Sequence, residues 1–486
     1  MVVGRGFDTS GLKGRFYEPL TKEELYKVHV ASLKVLENTG VKVYAPEAVD
    51  ILKKAGCDVD AKRDTVRIPQ YLVKESIMKS PNAFTLCGRS KEWDLPMGSG
   101  KFHACWAGGV PYIHDLDSGE RREGTKKDIV DTTRFIDAMD NIHFFMAPVV
   151  VPTDVPEKTI EVHAAEAALS NTSKHVTTEI WSKERIRDVI RIGEIVAGGE
   201  EELRKRPLIS ALSQPVSPLQ HNELQTAILL EFARKGLPIT IRAHPISGLS
   251  SPVTIAGELL MVNAENLSSL VIAQLTNPGT PVIYGMSASV ADMRIAMNLS
   301  GTVEIGLLGA ALVQMAKYYG LPSSYSAGID SPVPDAQAST ELIVSAMPGV
   351  FAGIDDLWLC ANDLKYTFWY EQMLIDDNIM AIIQRLLKGV EVSDETLGLG
   401  LIDEVGPGGG FLNKRHTMLY YPKEHVIPRL FARAAWSDWE KAGGRDILRR
   451  ANEKAREILK THQPQALERD IQDQMTQAVK EVDKRA

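Results

Sequence analysis

Between about residue 101 and residue 361, short apolar runs alternate with longer stretches whose apolar positions return at helical spacing. The short runs fall at 102–107, 143–150, 175–181, 208–214, 238–244, 281–286, 323–327 and 356–361. Gly, Pro or polar residues follow each of them, as suits a strand-to-helix loop. This is the signature of a parallel sheet built from strand–helix units. Eight such units predict an α/β fold, a TIM (β/α)8 barrel spanning 101–395. An open doubly wound sheet is the alternative, but neither GxGxxG nor a Walker sequence is present to support a nucleotide fold.

The first hundred residues read differently, as an α+β lead-in over 1–100. An amphipathic helix is expected over 21–38, with Thr21 as N-cap, Glu24 completing a capping box and Gly40 near its end. A second helix is expected over 46–55, a short strand over 65–68 and a further helix over 69–80. After residue 395 the pattern turns helical and charged, giving a C-terminal extension over 396–486. Its Lys/Arg/Glu-rich portion, 448–486, is expected to pack on the barrel or to form an oligomer contact. No internal repeat is visible.

Composition narrows the function class. The chain has 486 residues, 44% hydrophobic and 24% charged, which is ordinary for a globular enzyme. A net charge of −8 argues against nucleic acid as a partner, because phosphate affinity needs a basic surface. The four cysteines are scattered, and no HxxxH, HExxH or CxxC spacing points to zinc. Met1 to Asp8 contain no apolar leader core, and the longest apolar run, 305–315, is too short to span a bilayer. A cytoplasmic protein without a membrane partner is the expectation, with a symmetric homo-oligomer as the usual state for such an enzyme.

The most distinctive stretch is 318–337, Tyr-Tyr-Gly-Leu-Pro-Ser-Ser-Tyr-Ser-Ala-Gly-Ile-Asp-Ser-Pro-Val-Pro-Asp-Ala-Gln. It reads as a helix end, a Gly-Leu-Pro turn, a strand and a Pro-rich loop at the strand's C-terminal end, where a barrel keeps its chemistry. Its Gly320-Leu-Pro, Ala327-Gly328 and Val333-Pro-Asp-x-Gln337 resemble the trimethylamine methyltransferases of corrinoid-dependent methyl transfer. Further matches in order are Gly56-Cys57-x-Val59, Ser217-Pro218-Leu219, Asn263-Ala-Glu265, Ala273-Gln-Leu-Thr276-x-Pro-Gly279, Thr367-Phe368 and Glu371-Gln372. The resemblance implies a barrel enzyme that moves a methyl group from an amine to the cobalt(I) of a separate corrinoid protein. The chain has no DxHxxG motif of its own, so it is expected to bind no cobalamin itself and to receive the corrinoid on a partner.

Archaeal members of that family carry pyrrolysine just after the Ala-Gly, where this chain has Ile329, Asp330 and Ser331. A neutral tertiary amine is a poor methyl donor, since displacement would expel an amide-like anion. A quaternary ammonium is already activated, because it leaves as a neutral tertiary amine. The missing electrophile therefore predicts a quaternary, betaine-type substrate, with glycine betaine as the first expectation. Proline betaine, carnitine, γ-butyrobetaine or a tertiary amine stay open, as does a non-catalytic subunit of a methyl-transfer complex.

A quaternary ammonium is held by aromatic faces. Candidates near strand ends are Trp106, Trp181, Tyr284, Tyr325, Trp358, Tyr366, Phe368, Trp369 and Tyr370, each equally readable as core packing. Trp106, Tyr366 and Phe368 are favoured because Gly108-Gly109 and Asn362-Asp363 mark open loops beside them. A betaine also carries a carboxylate. Arg242 and His244, two apart in the fifth run, point to one face and could receive it, or meet the corrinoid periphery at the barrel mouth. A buried Arg needs a partner, and an internal ion pair with Glu179 or Asp330 is the alternative reading. Asp330 and Glu179 are the candidate catalytic carboxylates, with a turn role open for Asp330. Gln214 is a candidate polar liner.

Overall fold

The computed structural model describes residues 17–486. The leader expectation for Met1 to Asp8 lies outside the described residues. Eight parallel strands close into a barrel: β1 (His103–Trp106), β2 (Phe144–Ala147), β3 (His175–Thr178), β4 (Ile209–Ser213), β5 (Ile239–Ala243), β6 (Val282–Met286), β7 (Ser323–Ala327) and β8 (Asp356–Leu359). Each falls within its expected run, shortened at one or both ends in most cases. Pairing proceeds β1 to β8 in sequence, and β8 closes on β1 with Trp358 opposite Cys105.

Strand alternation divides the buried residues into two sets. Cys105, Phe144, Met146, Leu212, Ile283 and Trp358 fill the lumen, floored by Leu86, Leu95 and Met97 of a hairpin at the strands' N-terminal end. The larger cluster lies between strands and helices. Strand β7, Ser-Ser-Tyr-Ser-Ala, shows why parity matters: Ser324 and Ser326 bond lumen side chains, while Tyr325 lies against the outer helices.

In the lead-in, Thr21 caps the helix Lys22–Lys34 with the full capping box. Its last turn widens into a π segment, Val35–Thr39, which Gly40 ends at φ +78°. A Cβ there would lie 2.7 Å from the Val66 carbonyl oxygen, so glycine is required. Strands Val41–Val43, Thr65–Arg67 and Asp58–Asp60 form an antiparallel sheet, and Gln220–His221 from the loop after β4 joins it in parallel. Helix Ile255–Thr276 lies beneath the lead-in helices. Among the described residues it is the one helix long and apolar enough to cross a bilayer, and most of it is buried within the fold.

The C-terminal extension returns to the barrel, as one of the two expectations for it held. Helix Ile447–Thr461 packs on Tyr370–Lys388, and Arg469–Arg485 packs on Ile186–Ala197 and Ile160–Ser170. Their buried faces are Ala451 and Ala455, then Met475, Ala478, Val479 and Val482.

Candidate active site

Strand β5 sends Arg242 into the lumen, where it is fully buried. Nε and Nη2 donate to the Met286 carbonyl oxygen at 3.2 and 2.7 Å, and Nη2 also donates to Ser326 Oγ at 2.6 Å. The guanidinium carbon sits 4.2 Å above the centre of the Trp358 ring, a close cation–π contact. Gly285 on the neighbouring strand makes room, since a Cβ there would come within 3.0 Å of Arg242 Cγ. Nη1 has no hydrogen-bond partner. Burial lowers the guanidinium's pKa, and the nearby Asp356 carboxylate opposes that shift.

Asp356 opens strand β8 inside the same lumen. Its Oδ2 accepts from Trp358 Nε1 at 2.6 Å and Ser324 Oγ at 2.8 Å, while Oδ1 is unpartnered. Burial raises its pKa to about 7, and Arg242 works against that rise. The internal acid for Arg242 is therefore Asp356 by electrostatics, without direct ion-pair contact. Neither Glu179 nor Asp330 fills that place.

Just past the end of β5, two residues from Arg242, His244 is accessible to solvent yet closely surrounded by protein. Burial pushes its pKa down to about 4, aided by the positive charges of Lys365 and Arg242. Lys365 ends a turn after β8 in which Asp363, Leu364 and Lys365 all have left-handed φ, at 58°, 53° and 74°. Such a conformation costs about 1–3 kcal/mol per residue and persists only where neighbours enforce it. Here the Asp363 carboxylate is held by Arg121 and Thr367, and its N–H donates to the Ser331 carbonyl oxygen at 2.8 Å. Buried Asn362, at the start of the turn, has neither amide atom hydrogen-bonded.

Two strands from Arg242, just past the end of β3, Glu179 lies against Gly109. A Cβ on Gly109 would meet Glu179 Oε2 at 2.2 Å, and φ of +79° favours glycine there as well. Desolvation raises the Glu179 pKa to about 7, partly offset by hydrogen bonding from the half-exposed Trp181 side chain, and Oε2 is unpartnered. Gln214, past the end of β4, approaches Ser287 Oγ at 3.4 Å and has its backbone N–H on Gln225. Tyr366 is 51% exposed, beside the turn that ends at Lys365.

The remaining candidates sit elsewhere. Tyr325 turns away from the lumen between Gly309 and Gly349 and donates to the carbonyl oxygens of Ser345 and Ala346. Tyr284 likewise donates to Asn263. Trp106 and Phe368 pack edge to face at 5.9 Å, and Phe368 continues to Tyr370, all within the outer core. Both are fully buried, so neither offers a ring face to a lumen ligand, although Trp106 Nε1 lacks a partner. The Asp330 carboxylate accepts from the N–H groups of Ser300 and Gly301, tying two loops together, and Ile329 is wholly buried. Sequence reasoning placed Trp358 only among many aromatics and passed over Asp356 and Lys365. A carboxylate inside an apolar strand, Asp356-Leu-Trp-Leu359, was the available signal.

The model of the trimethylamine methyltransferase family matches residues 10–485. The chain belongs to the trimethylamine methyltransferase family. A trimethylamine methyltransferase MttB of Desulfitobacterium hafniense strain DCB-2 is 36% identical over 463 residues, 95% of this chain and 93% of that protein. One from Methanosarcina barkeri strain Fusaro is 35% identical over 98% of this chain and 97% of its own length. A glycine betaine methyltransferase of D. hafniense strain Y51 is 30% identical over 94% of this chain and 95% of its own.

Proposed function

We propose that this family member transfers a methyl group from a betaine-type quaternary amine to the cobalt(I) of a corrinoid held by a separate protein, releasing a tertiary amine. The observation that carries this reading is the unpartnered Nη1 of Arg242 in a lumen whose guanidinium is otherwise clamped in place. A buried cation with a free donor suits an anionic group on the ligand, and trimethylamine has none.

The polarity of the site supports a zwitterion. Arg242 and Lys365 make one pole positive, and the His244 imidazole near them is neutral. Glu179 and Trp181, near the end of β3, offer a carboxylate and an aromatic face at the other. A quaternary nitrogen beside Glu179 favours the ionised carboxylate, and the ammonium gains about 0.5–2 kcal/mol from an aromatic face. With both ends fixed, one N-methyl is held in a defined direction, which is most of what a pre-activated donor requires. The corrinoid supplies a cobalt(I) nucleophile that takes the methyl group while the C–N electron pair stays on nitrogen. Ile329, Asp330 and Ser331 offer no electrophile: Ile329 and Ser331 are buried, and Asp330 and Ser331 hold loop backbone. They serve by shaping the mouth, since Ser331 anchors the left-handed turn that carries Lys365. Trp181 and Tyr366, exposed past the ends of β3 and β8, are available to a flat macrocycle arriving from outside.

The test is methylation of a reduced corrinoid protein, followed by its absorption spectrum, with glycine betaine, choline, tetramethylammonium and trimethylamine as donors. Betaine is expected to be demethylated and trimethylamine to be inert. Turnover of trimethylamine without turnover of any betaine would overturn the reading.

A further inference from the structure

Between helix Tyr370–Lys388 and helix Ile447–Thr461 the chain makes a long excursion from the body. From residue 389 to residue 427 no side chain is buried, although the stretch contains helices Asp394–Leu397, Leu399–Val405 and Arg415–Glu424. Helices this short are unstable alone in water, where roughly 12–15 residues are needed even for favourable sequences. Nor is this a fraying end, because both flanking helices pack on the barrel body and Arg385 holds Glu424 at the root. The excursion is also greasy. Thirteen of the thirty-one strongly exposed large apolar side chains among the described residues fall between 390 and 436. Val390, Leu399, Leu412, Met418 and Trp436 are 81%, 67%, 90%, 74% and 72% exposed. An apolar patch on this scale marks an interface.

Charge indicates what covers it. Residues 389–410 carry five acids and no base, whereas residues 411–435 carry five bases and one acid. Lys414 pairs with Glu404 across the two halves. Asp394 and Asp403 in the acidic half, and Arg415 and Arg433 in the basic half, form no ion pair among the described residues. A two-fold axis places one patch against itself, so that each half meets the other half of the second copy. A segment split into an acidic and a basic half is complementary to itself under that operation.

We infer that residues 389–436 are a dimerisation arm whose occupant is the same arm of a second copy of this chain. The interface is isologous, with apolar side chains at its centre and two acid-to-base contacts at its ends. An arm of this size can supply the ~800 Å2 per partner that a stable dimer needs.

The full-length protein tests this by light scattering after gel filtration at micromolar concentration. Wild type is expected at an even multiple of the chain mass. One variant replaces the free acids (Asp394→Lys with Asp403→Lys) and a second replaces the free bases (Arg415→Glu with Arg433→Glu). Each alone is expected at half the wild-type mass, and an equimolar mixture is expected to recover the full mass. Leu399→Asp with Leu412→Asp should also halve it, with helical circular dichroism of the body retained. A monomeric wild type, or charge variants that keep the wild-type mass, overturns the inference. So does a variant pair that keeps its mass and loses only methyl transfer to the corrinoid protein, which would assign the arm to that protein instead.

Discussion

Replacing Arg242 by Met removes the guanidinium while keeping an unbranched apolar chain to pack on Trp358. Two consequences separate cleanly. One is common to all donors: the Met286 carbonyl oxygen and Ser326 Oγ lose a partner, and Asp356 loses its nearby cation and stays protonated to higher pH. The other is specific to carboxylated donors, which lose the bond to Nη1. One hydrogen bond to a charged group is worth about 1.5–3 kcal/mol, or roughly 10- to 150-fold in kcat/KM. The informative quantity is therefore the ratio of kcat/KM for glycine betaine to that for choline, measured on the same preparation of the same variant with the reduced corrinoid protein as acceptor. Structural damage divides out of that ratio. A fall of about 10- to 150-fold supports carboxylate recognition by Arg242. A ratio unchanged from wild type, however much both activities drop, refutes it.

Other expectations follow from burial and backbone geometry. Trp106→Ala and Phe368→Ala should each destabilise the protein by about 3–5 kcal/mol, read by chemical denaturation, because both rings are outer-core residues. A selective rise in KM without loss of stability would contradict their placement. Gly109→Ala should displace the Glu179 carboxylate and strain a left-handed φ, lowering kcat/KM for every quaternary donor; unchanged kinetics would show that Glu179 is idle. For pH, burial raises the pKa of Glu179, Asp356 and Glu265 to about 7 and of Glu258 to about 8. The folded chain then holds protons that the unfolded chain has released, so stability falls as pH rises through those values. His103, His175, His221 and His244, lowered to about 4, act in the opposite sense but only below their unfolded value near ~6.5. Between pH ~6.5 and ~7 the carboxylates dominate, before buried Lys174, lowered to about 8, begins to act in the opposite sense, so Tm should drop there, and Glu265→Gln should flatten the slope. A Tm that climbs over that interval would contradict the buried protonated acids.

The barrel was legible because eight apolar runs with turn residues after them are a long, redundant signal. The capping box at Thr21 and Glu24 was readable for a similar reason, since its chemistry is local. What the sequence concealed was parity. A strand buried on both faces, such as His-Ala-Cys-Trp in β1, has no polar side to mark its outward residues. Nothing in the pattern therefore keeps Trp106 from being favoured over Trp358, although only the latter faces the lumen. Arg242 stood out because a charge inside a strand is anomalous whichever way it points. Lys365 could not be found this way, as its position depends on three left-handed residues that carry no glycine to announce them. Asp330 drew attention through its place in the motif, whereas its partners, Ser300 and Gly301, lie thirty residues earlier in the chain.

The pairing of Val41–Val43 with Gln220–His221 also constrains the order in which the protein folds. The lead-in leaves the ribosome first, yet its sheet cannot be completed until the loop after β4 has been synthesised. Helix Ile255–Thr276, which the lead-in helices cover, appears later still. If the lead-in were missing or late, that helix would present a membrane-like apolar surface to the cell, and the nascent barrel would be open to membranes and chaperones. Residues 17–100 thus act as a built-in cover for a long apolar helix of the barrel, held in waiting until the chain has reached it.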